Sequence, residues 1–188
     1  TNYRVFIRSV CSATETSMWS NAIAFTTPCA SFDAPFAQNF DTYVPLCWAT
    51  AAAGSVETGP TGTAQGIWTV DGFLNVGTTG AVKVNLYSTN RIGWLITPPM
   101  NTTVGNDYNF SFNYGVTVWD GTATIAMGSD DSVKVVMSTD NGATWTEIQS
   151  FTAASNVLNT SQGYIYEFVA STSQVRFALL ANDGIVND

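Results

Sequence analysis

Alternating apolar and polar residues dominate this chain, and segments with helical period are almost absent. Turns rich in Asn, Gly, Asp and Thr separate the alternating stretches. These stretches are residues 67–70, 81–87, 93–96, 108–118, 132–138, 144–151, 164–169 and 174–180. Short strands with regular turn signals between them predict an all-β fold of the sandwich type. A loop is predicted at residues 54–66, which read GSVETGPTGTAQG.

The first residues of the chain predict a hairpin. Tyr3, Val5 and Ile7 alternate with their neighbours as in a strand with one buried face, and residues 19–25 alternate again before Thr27-Pro28. An isolated hairpin is at best marginally stable in water. The segment therefore belongs either to a domain of its own or to the domain that follows.

One strand carries an aromatic stripe. Residues 108–114 read YNFSFNY, which places Tyr108, Phe110, Phe112 and Tyr114 on one face. The core of the sandwich is the expected place for these rings. A platform on which sugar rings stack is the alternative.

Residues 137–148, MSTDNGATWTEI, contain the pattern S-x-D-x-G-x-T-W, the Asp-box best known from sialidases. The motif predicts a tight turn between two strands, in which the Asp140 carboxylate bonds to nearby backbone amides, Gly142 has a positive φ and Trp145 packs beneath. Ser138 is the first residue of the motif. Sialidase chemistry needs clustered arginines and a tyrosine nucleophile, whereas this chain has one such box and four dispersed arginines. We interpret the motif as a hairpin turn without catalytic function.

Composition excludes several function classes. The 188 residues include no histidine, which removes Ser-His-Asp triads and histidine zinc sites. Six basic residues against fourteen acidic ones give a net charge of -8, which argues against nucleic-acid binding. No apolar run is long enough to span a membrane. Glu57, Glu147 and Glu167 show no local pairing, so nothing points to a catalytic carboxylate pair.

The N-terminal motifs resemble a known family. Y-x-V-x-I-R-S-V followed by S-M-W-S-N-A-I-A-F-T-T resembles the last two strands of a fibronectin type III domain, over residues 1–27. The chain opens directly on this alternating pattern, without a signal peptide. We therefore expect it to be an internal piece of a longer polypeptide.

Residues 28–188 resemble a second family. The landmarks PFAQNFDTYVPLCW, WLITPPMNTT, YNFSFNYG, DSVKVVMSTDNGATWTEI and VRFALLAND follow in the order found in cleaved-adhesin and choice-of-anchor J domains, jelly-roll relatives of MAM domains. The resemblance implies a jelly-roll β-sandwich from a large secreted or cell-surface protein of Bacteroidetes, exported by the type IX secretion system. Such domains end in one further strand, which we expect to follow residue 188.

The second resemblance also implies a structural calcium ion. Carried over by position, its ligands would be Asp41, Asp131 and Asp183. Calcium takes six to eight oxygen ligands from loops, which suits carboxylates next to turns. Where relatives carry Glu, this chain has Gln38, and Asp131 also fits a solvated turn.

The three cysteines lack metal-binding spacing, and in an exported protein disulfides are the first expectation. Cys29 and Cys47 flank the start of the second domain, and we predict that they pair. Cys11 is expected to pair with a cysteine upstream of residue 1.

These observations favour a non-catalytic adhesion or spacer module on the bacterial outer-membrane exterior. Its expected partners are neighbouring domains of the same polypeptide, surface glycans or other cell-surface proteins. The alternative is a carbohydrate-binding module of a polysaccharide-degrading enzyme. Among Trp68, Trp94 and Trp119, the best candidate for an exposed platform is Trp119, which lies in a polar turn; a rim residue covering the core is its other interpretation.

Overall fold

A computed structural model describes residues 2–26, 29–62, 67–155, 157–158 and 160–186. The chain divides into two compact units, Thr1–Ala30 and Ser31–Asp188. The predicted domain boundary at residues 27 and 28 lies outside the described residues, and so does part of the predicted loop, residues 63–66.

The first unit is an antiparallel hairpin of β1 (Asn2–Val5) and β2 (Ile23–Thr26). Tyr3 lies opposite Phe25, and their stacked ring centroids are 5.3 Å apart. The predicted hairpin forms, but the face that alternation predicts to be buried is exposed, with Ile7 61% accessible. The reason is that the described residues of this unit form two strands with no second layer above them.

The second unit is all-β, which confirms the predicted fold class. Its strands are β3 (Phe32–Asp33), β4 (Ala49–Ala51), β5 (Ala53–Ser55), β6 (Gly59–Thr61), β7 (Trp68–Asp71), β8 (Ala81–Val84), β9 (Arg91–Ile96), β10 (Met100–Asn101), β11 (Asp107–Tyr114), β12 (Ser132–Ser138), β13 (Thr146–Thr152), β14 (Gln162–Val169) and β15 (Gln174–Asp183). Short 3-10 turns occur at Phe73–Asn75 and Ala153–Ser155.

A seven-stranded sheet forms the main layer, with β15 at its centre. One edge of β15 pairs with β12, which pairs in turn with β13. Along its other edge β15 pairs first with β10 and then with β9, and these strands continue the sheet to β3 and β4 respectively. Except for the parallel pair β3–β10, these ladders are antiparallel.

Both faces of this sheet carry hydrophobic clusters, because alternate residues of its central strands point to opposite sides. One cluster contains Ala51, Trp94, Ile96, Val136, Trp145, Ala178 and Leu180. On the opposite face, the ribbon β7–β8 packs through Trp68 onto Leu95 and Ala181, and the ribbon β11–β14 packs onto Val135 and Phe151.

The aromatic stripe of β11 lies on the inner side of its ribbon. Phe110, Phe112 and Tyr114 pack against the cluster of Val135 and Phe151. The Phe110 ring stacks on Phe177 of β15, with centroids 4.2 Å apart. The core interpretation of these three rings is therefore confirmed.

The predicted strands differ from the observed ones mainly at their ends. The stretch 108–118 was predicted as one strand, but β11 ends at Tyr114. At Gly115 the chain runs close to Leu158, whose carbonyl oxygen would be 3.2 Å from an added Cβ, and Val116 N donates to that oxygen instead of continuing the ladder. The strands that sequence patterning misses have two or three residues, too few to show alternation.

Candidate functional site

The Asp-box turn directly follows β12 and forms a closed network. Ser138 Oγ donates to Asp140 Oδ1 at 2.8 Å and accepts from Gly142 N at 2.7 Å. Thr144 donates twice to the same carboxylate, through its N–H at 2.8 Å and its hydroxyl at 2.6 Å. Gly142 has φ 95°, a conformation that favours glycine. The turn thus has the hydrogen bonds that its motif predicts.

These hydrogen bonds control the charge of Asp140. The Thr144 hydroxyl and N–H, together with the Ser138 hydroxyl, lower the pKa of the Asp140 carboxyl from 3.8 to about 2. Hydrogen bonds to the ionised form of an acid have this effect because they stabilise the anion. The carboxylate therefore acts as a permanent acceptor at neutral pH, and it has no proton to give to a substrate.

Trp145 anchors the turn to the core. Its ring is 7% exposed and lies 5.5 Å, centroid to centroid, from the fully buried ring of Trp94. An added Cβ on Gly142 would be 3.5 Å from the Trp145 ring, which shows how closely the turn covers it. Nearby, the Arg176 guanidinium donates to Thr97 O at 3.0 and 3.2 Å, and burial lowers its pKa. Trp145 is thus held by packing in the core, and Arg176 is held by hydrogen bonds to a backbone carbonyl oxygen.

A second acidic site lies at the other end of β12. Asp131 precedes the strand and is 3% exposed, while Asp183, the last residue of β15, is 1% exposed. Asp131 Oδ1 accepts from Gly184 N at 3.0 Å, and Asp183 Oδ1 accepts from Ser88 N at 3.3 Å. Asp183 Oδ2 is buried and has no hydrogen-bond partner among the described residues. Asp130 Oδ2 accepts from the N–H groups of Ile185 and Val186.

Burial and neighbouring carboxylates disfavour the charged form of Asp131. Burial raises the pKa of Asp131, and the charges of Asp183 and Asp130 raise it further, although the hydrogen bond from Gly184 opposes the change. A buried polar atom without a partner costs free energy. A cation placed between these oxygens would relieve both the repulsion and the missing contact.

The predicted calcium ligands are only partly brought together. Asp131 and Asp183 interact, whereas Asp41 lies in an exposed turn and accepts from Asn39 Nδ2 at 2.7 Å. Among the described residues, no group of three or more His, Cys, Asp or Glu side chains is placed to hold a metal ion. Asp131 and Asp183 form a carboxylate pair that fits a cation, and Asp183 Oδ2 is the unpaired oxygen of that pair. Because Asp41 lies elsewhere, the three-residue calcium site stays a prediction.

Cys29 and Cys47 are disulfide-bonded, as predicted. The bridge closes a loop of about 19 residues, for which the chain-entropy treatment gives about 3 kcal/mol of stabilisation. Cys11 is exposed with a free thiol in this structure, and its pairing with an upstream cysteine stays a prediction.

The three tryptophans without an assigned role have different environments. Trp68 and Trp94 are buried, and Trp68 Nε1 donates to Gly93 O at 2.9 Å. Trp119 is 44% exposed, with Lys83 Nζ 4.2 Å from its ring centroid. Lys83 is held in turn by Asp71 Oδ2 at 2.8 Å.

The Asn75 side chain stabilises the turn that carries Trp119. The Asn75 side-chain amide lies 2.7–3.1 Å from the carbonyl oxygens of Val118, Trp119 and Gly121. Trp119 is therefore an exposed ring on a supported turn, which satisfies the first requirement of the platform interpretation.

A polar hollow that sequence reasoning missed lies where β3, β10 and the start of β11 meet. It has a volume of about 230 Å³ and is lined by Asp33, Ala34, Asn101, Thr102, Thr103 and Tyr108. Asn101 Nδ2 donates to Asp33 Oδ1 at 2.7 Å, and Thr103 N donates to the Tyr108 hydroxyl oxygen at 2.9 Å. No local sequence motif predicts this hollow. Its two sides come from β3 and β10, which are distant in sequence and are brought together by parallel strand pairing.

No protein-family model matches the chain, and no curated protein matches it at a significant level. Within the described part of the chain, no helix is long and apolar enough to cross a membrane.

Proposed function

We propose that this chain is a non-catalytic adhesion or spacer module of a large secreted or cell-surface bacterial protein. The observation that carries the proposal is the internal engagement of the Asp-box. Each Asp140 oxygen accepts a hydrogen bond from within the turn, and Trp145 lies in the core. The motif that most suggests an enzyme therefore serves the fold.

The arrangement in series supports the same function. Two β units follow one another along the chain, Thr1–Ala30 and Ser31–Asp188. Successive units can be joined end to end in extended surface proteins, and the second unit has its own hydrophobic clusters. The proposed families are a fibronectin type III domain for the first unit and a cleaved-adhesin or choice-of-anchor J jelly roll for the second. In support, four of the five quoted landmarks include residues of β9, β11, β12 or β15 of the second unit, while the first, residues 35–48, lies between β3 and β4.

The disulfide supports a location outside the cytosol, since such bonds persist in oxidising compartments. The bacterial outer-membrane exterior, reached through the type IX secretion system, is the specific location we propose. The partners would be neighbouring domains of the same polypeptide and surface glycans or proteins.

We include a structural calcium ion in this proposal. Asp131 and Asp183 would supply carboxylate oxygens, and Asp183 Oδ2 is the orphaned atom that favours an ion there. A cation at this position would neutralise two buried like charges next to Gly184, where β15 ends. Its role would be to fix the end of the sheet, with no part in a reaction.

Carbohydrate binding within a polysaccharide-degrading enzyme is the second candidate function. The exposed, supported ring of Trp119 favours it, because an aromatic face can stack on the apolar face of a sugar. Lys83 lies over this ring, so a sugar would have to use the exposed part of the indole.

The test is a paired adhesion and turnover assay. Beads coated with the 188-residue chain should be retained on mucin-coated and bacterial-envelope-coated surfaces above beads that carry an unrelated β-sandwich protein. The same preparation should leave chromogenic glycosides and a fluorogenic sialoside intact. Hydrolysis that disappears in Asp140→Asn would overturn the non-catalytic assignment, and retention equal to the control beads would leave only the spacer role.

A further inference from the structure

The geometry points to a binding site for a neutral sugar in the hollow between β3, β10 and the start of β11. This inference rests on the adhesive role proposed above and names the ligand class for it. The hollow is distinct from the Trp119 turn: its lining residues are Asp33, Ala34, Asn101, Thr102, Thr103 and Tyr108.

The lining excludes other ligand classes. It has one carboxylate and no basic residue, so an anion would meet repulsion and no counter-charge. A divalent cation calls for several oxygen ligands of high charge density, and this lining supplies a single carboxylate, that of Asp33. Polar side chains make up most of the lining, which disfavours an apolar ligand. A neutral polyhydroxylated molecule is the class that remains.

Hydrogen-bonding groups in the hollow suit neighbouring hydroxyls. Asp33 and Asn101 are joined by one hydrogen bond of 2.7 Å. Asp33 Oδ2, Asn101 Oδ1 and Thr103 Oγ1 make no hydrogen bond to any described residue. The Tyr108 hydroxyl accepts from Thr103 N and so keeps its own hydrogen to donate. Each sugar hydroxyl both donates and accepts, and this set offers it partners of both kinds.

The supporting structure holds these groups in place before a ligand arrives. The Asn101 backbone lies in the sheet, opposite Asp33 on one side and Gln174 on the other. The Thr102 hydroxyl donates to Thr172 O at 2.7 Å. The Tyr108 ring stacks on Phe168, with centroids 6.0 Å apart. Groups fixed in advance lose little conformational entropy on binding.

Binding should be weak, because Asp33 and Thr103 are exposed and the hollow is shallow. A dissociation constant on the order of 1 mM is expected for one copy of the site, and display of many copies on one cell would raise the avidity. Weak individual sites used many times suit an adhesive surface.

The experiment is a titration of the isotope-labelled 188-residue chain, followed through its backbone amide resonances. The probes are glucose, galactose, mannose, N-acetylglucosamine and their disaccharides, with calcium chloride and inorganic phosphate titrated separately. At least one sugar should give saturable shifts at Asn101, Thr102, Thr103 and Tyr108. Asp33→Asn keeps the bond from Asn101 but removes the charged acceptor, and it should weaken binding about tenfold.

Asp107→Asn is the matched control. Asp107 is an exposed acid that begins the same strand as Tyr108 but does not line the hollow, so its change should leave binding within about twofold. Thr103→Ala provides a second test at an exposed position should Asp33→Asn fold poorly. The inference is overturned if no sugar shifts these amides, if calcium or phosphate alone shifts them, or if the shifts centre on Trp119.

Failure of the adhesive role has a different signature. Beads that adhere equally with the wild-type chain and with Asp33→Asn, combined with no sugar-dependent shift at these amides, would keep the adhesive role and overturn the sugar site. Beads that fail to adhere, combined with sugar-dependent shifts that Asp33→Asn removes, would overturn the adhesive role and keep the sugar site.

Discussion

The two ends of β12 carry acidic turns that look alike in sequence and differ in physical state. At one end, residues 129–132 read SDDS; at the other, residues 138–141 read STDN. Hydrogen bonds from Thr144 and Ser138 lower the pKa of Asp140 to about 2. Burial and neighbouring carboxylates raise the pKa of Asp131.

The difference comes from what surrounds each carboxylate. Asp140 finds its donors within four residues along the chain, so it folds into a complete local unit. Asp131 lies near Asp183, a residue distant in sequence, because β12 pairs with β15. A carboxylate whose oxygens are hydrogen-bonded within a turn stabilises that turn. A buried carboxylate with a like-charged neighbour and an unpaired oxygen is a candidate ligand for a cation.

Removing the core anchor of the Asp140 end should have the largest effect. Trp145→Ala deletes a ring packed against Trp94, and we expect the free energy of unfolding to fall by about 3–5 kcal/mol, as for large core truncations. Urea denaturation followed by circular dichroism measures this loss. Trp119→Ala is the control: its ring is half-exposed and contacts Lys83, so the loss should be about 0.5–1 kcal/mol. Equal losses in the two variants would contradict the anchoring role of Trp145.

The Asp131 end should respond to calcium. If the ion binds there, calcium at about 100 times its dissociation constant should raise the free energy of unfolding by about 2.7 kcal/mol over the chelated protein. Thermal melts with and without a chelator measure the difference. Asp183→Asn should abolish the calcium response, while Asp140→Asn should keep it. A wild-type melting curve indifferent to chelation and to added calcium would show that no calcium ion binds at Asp131 and Asp183.

Sequence reasoning succeeded where contacts are local. The Asp-box network lies within residues 138–145, so the motif alone predicts its bonds. The β11 stripe was predictable because alternation over eight residues reveals an inward face. The disulfide followed from the positions of Cys29 and Cys47 around one short segment.

Sequence reasoning failed where distant segments meet. Asp183 precedes a glycine, which by sequence is typical of a turn, yet it ends β15 and is buried beside β9 and β12. The polar hollow unites Asp33 with residues 101–103 through a ladder of two residue pairs, too short to leave a periodic signal. Such neighbours are set by strand pairing, which one sequence does not reveal.

Acid titration should separate the two ends further. Asp140 has a depressed pKa in the folded chain, so its contribution to stability is present above the ordinary value of 3.8 and is lost as the pH falls toward about 2. The stability difference between the wild type and Asp140→Asn should therefore shrink across this window and vanish below it. Urea denaturation at a series of pH values measures the difference. A gap that persists unchanged at the lowest pH would mean that the carboxylate charge does not hold the turn.

The middle of β12 should show the smallest effect. Lys134 Nζ lies 2.7 Å from Glu147 Oε2, but a third or more of each side chain is exposed, with 33% and 39% accessible. Water and salt screen such pairs, so a double-mutant cycle with Lys134→Met and Glu147→Gln should give a coupling of about 0.2–1 kcal/mol that falls at high salt. A coupling well above this range, unaffected by salt, would place a strong ion pair between the two turns. The opposite pKa shifts of Asp140 and Asp131 would then not be explained by hydrogen bonding and burial alone. The charge of Lys134, which lies on β12 between them, would act on both carboxylates.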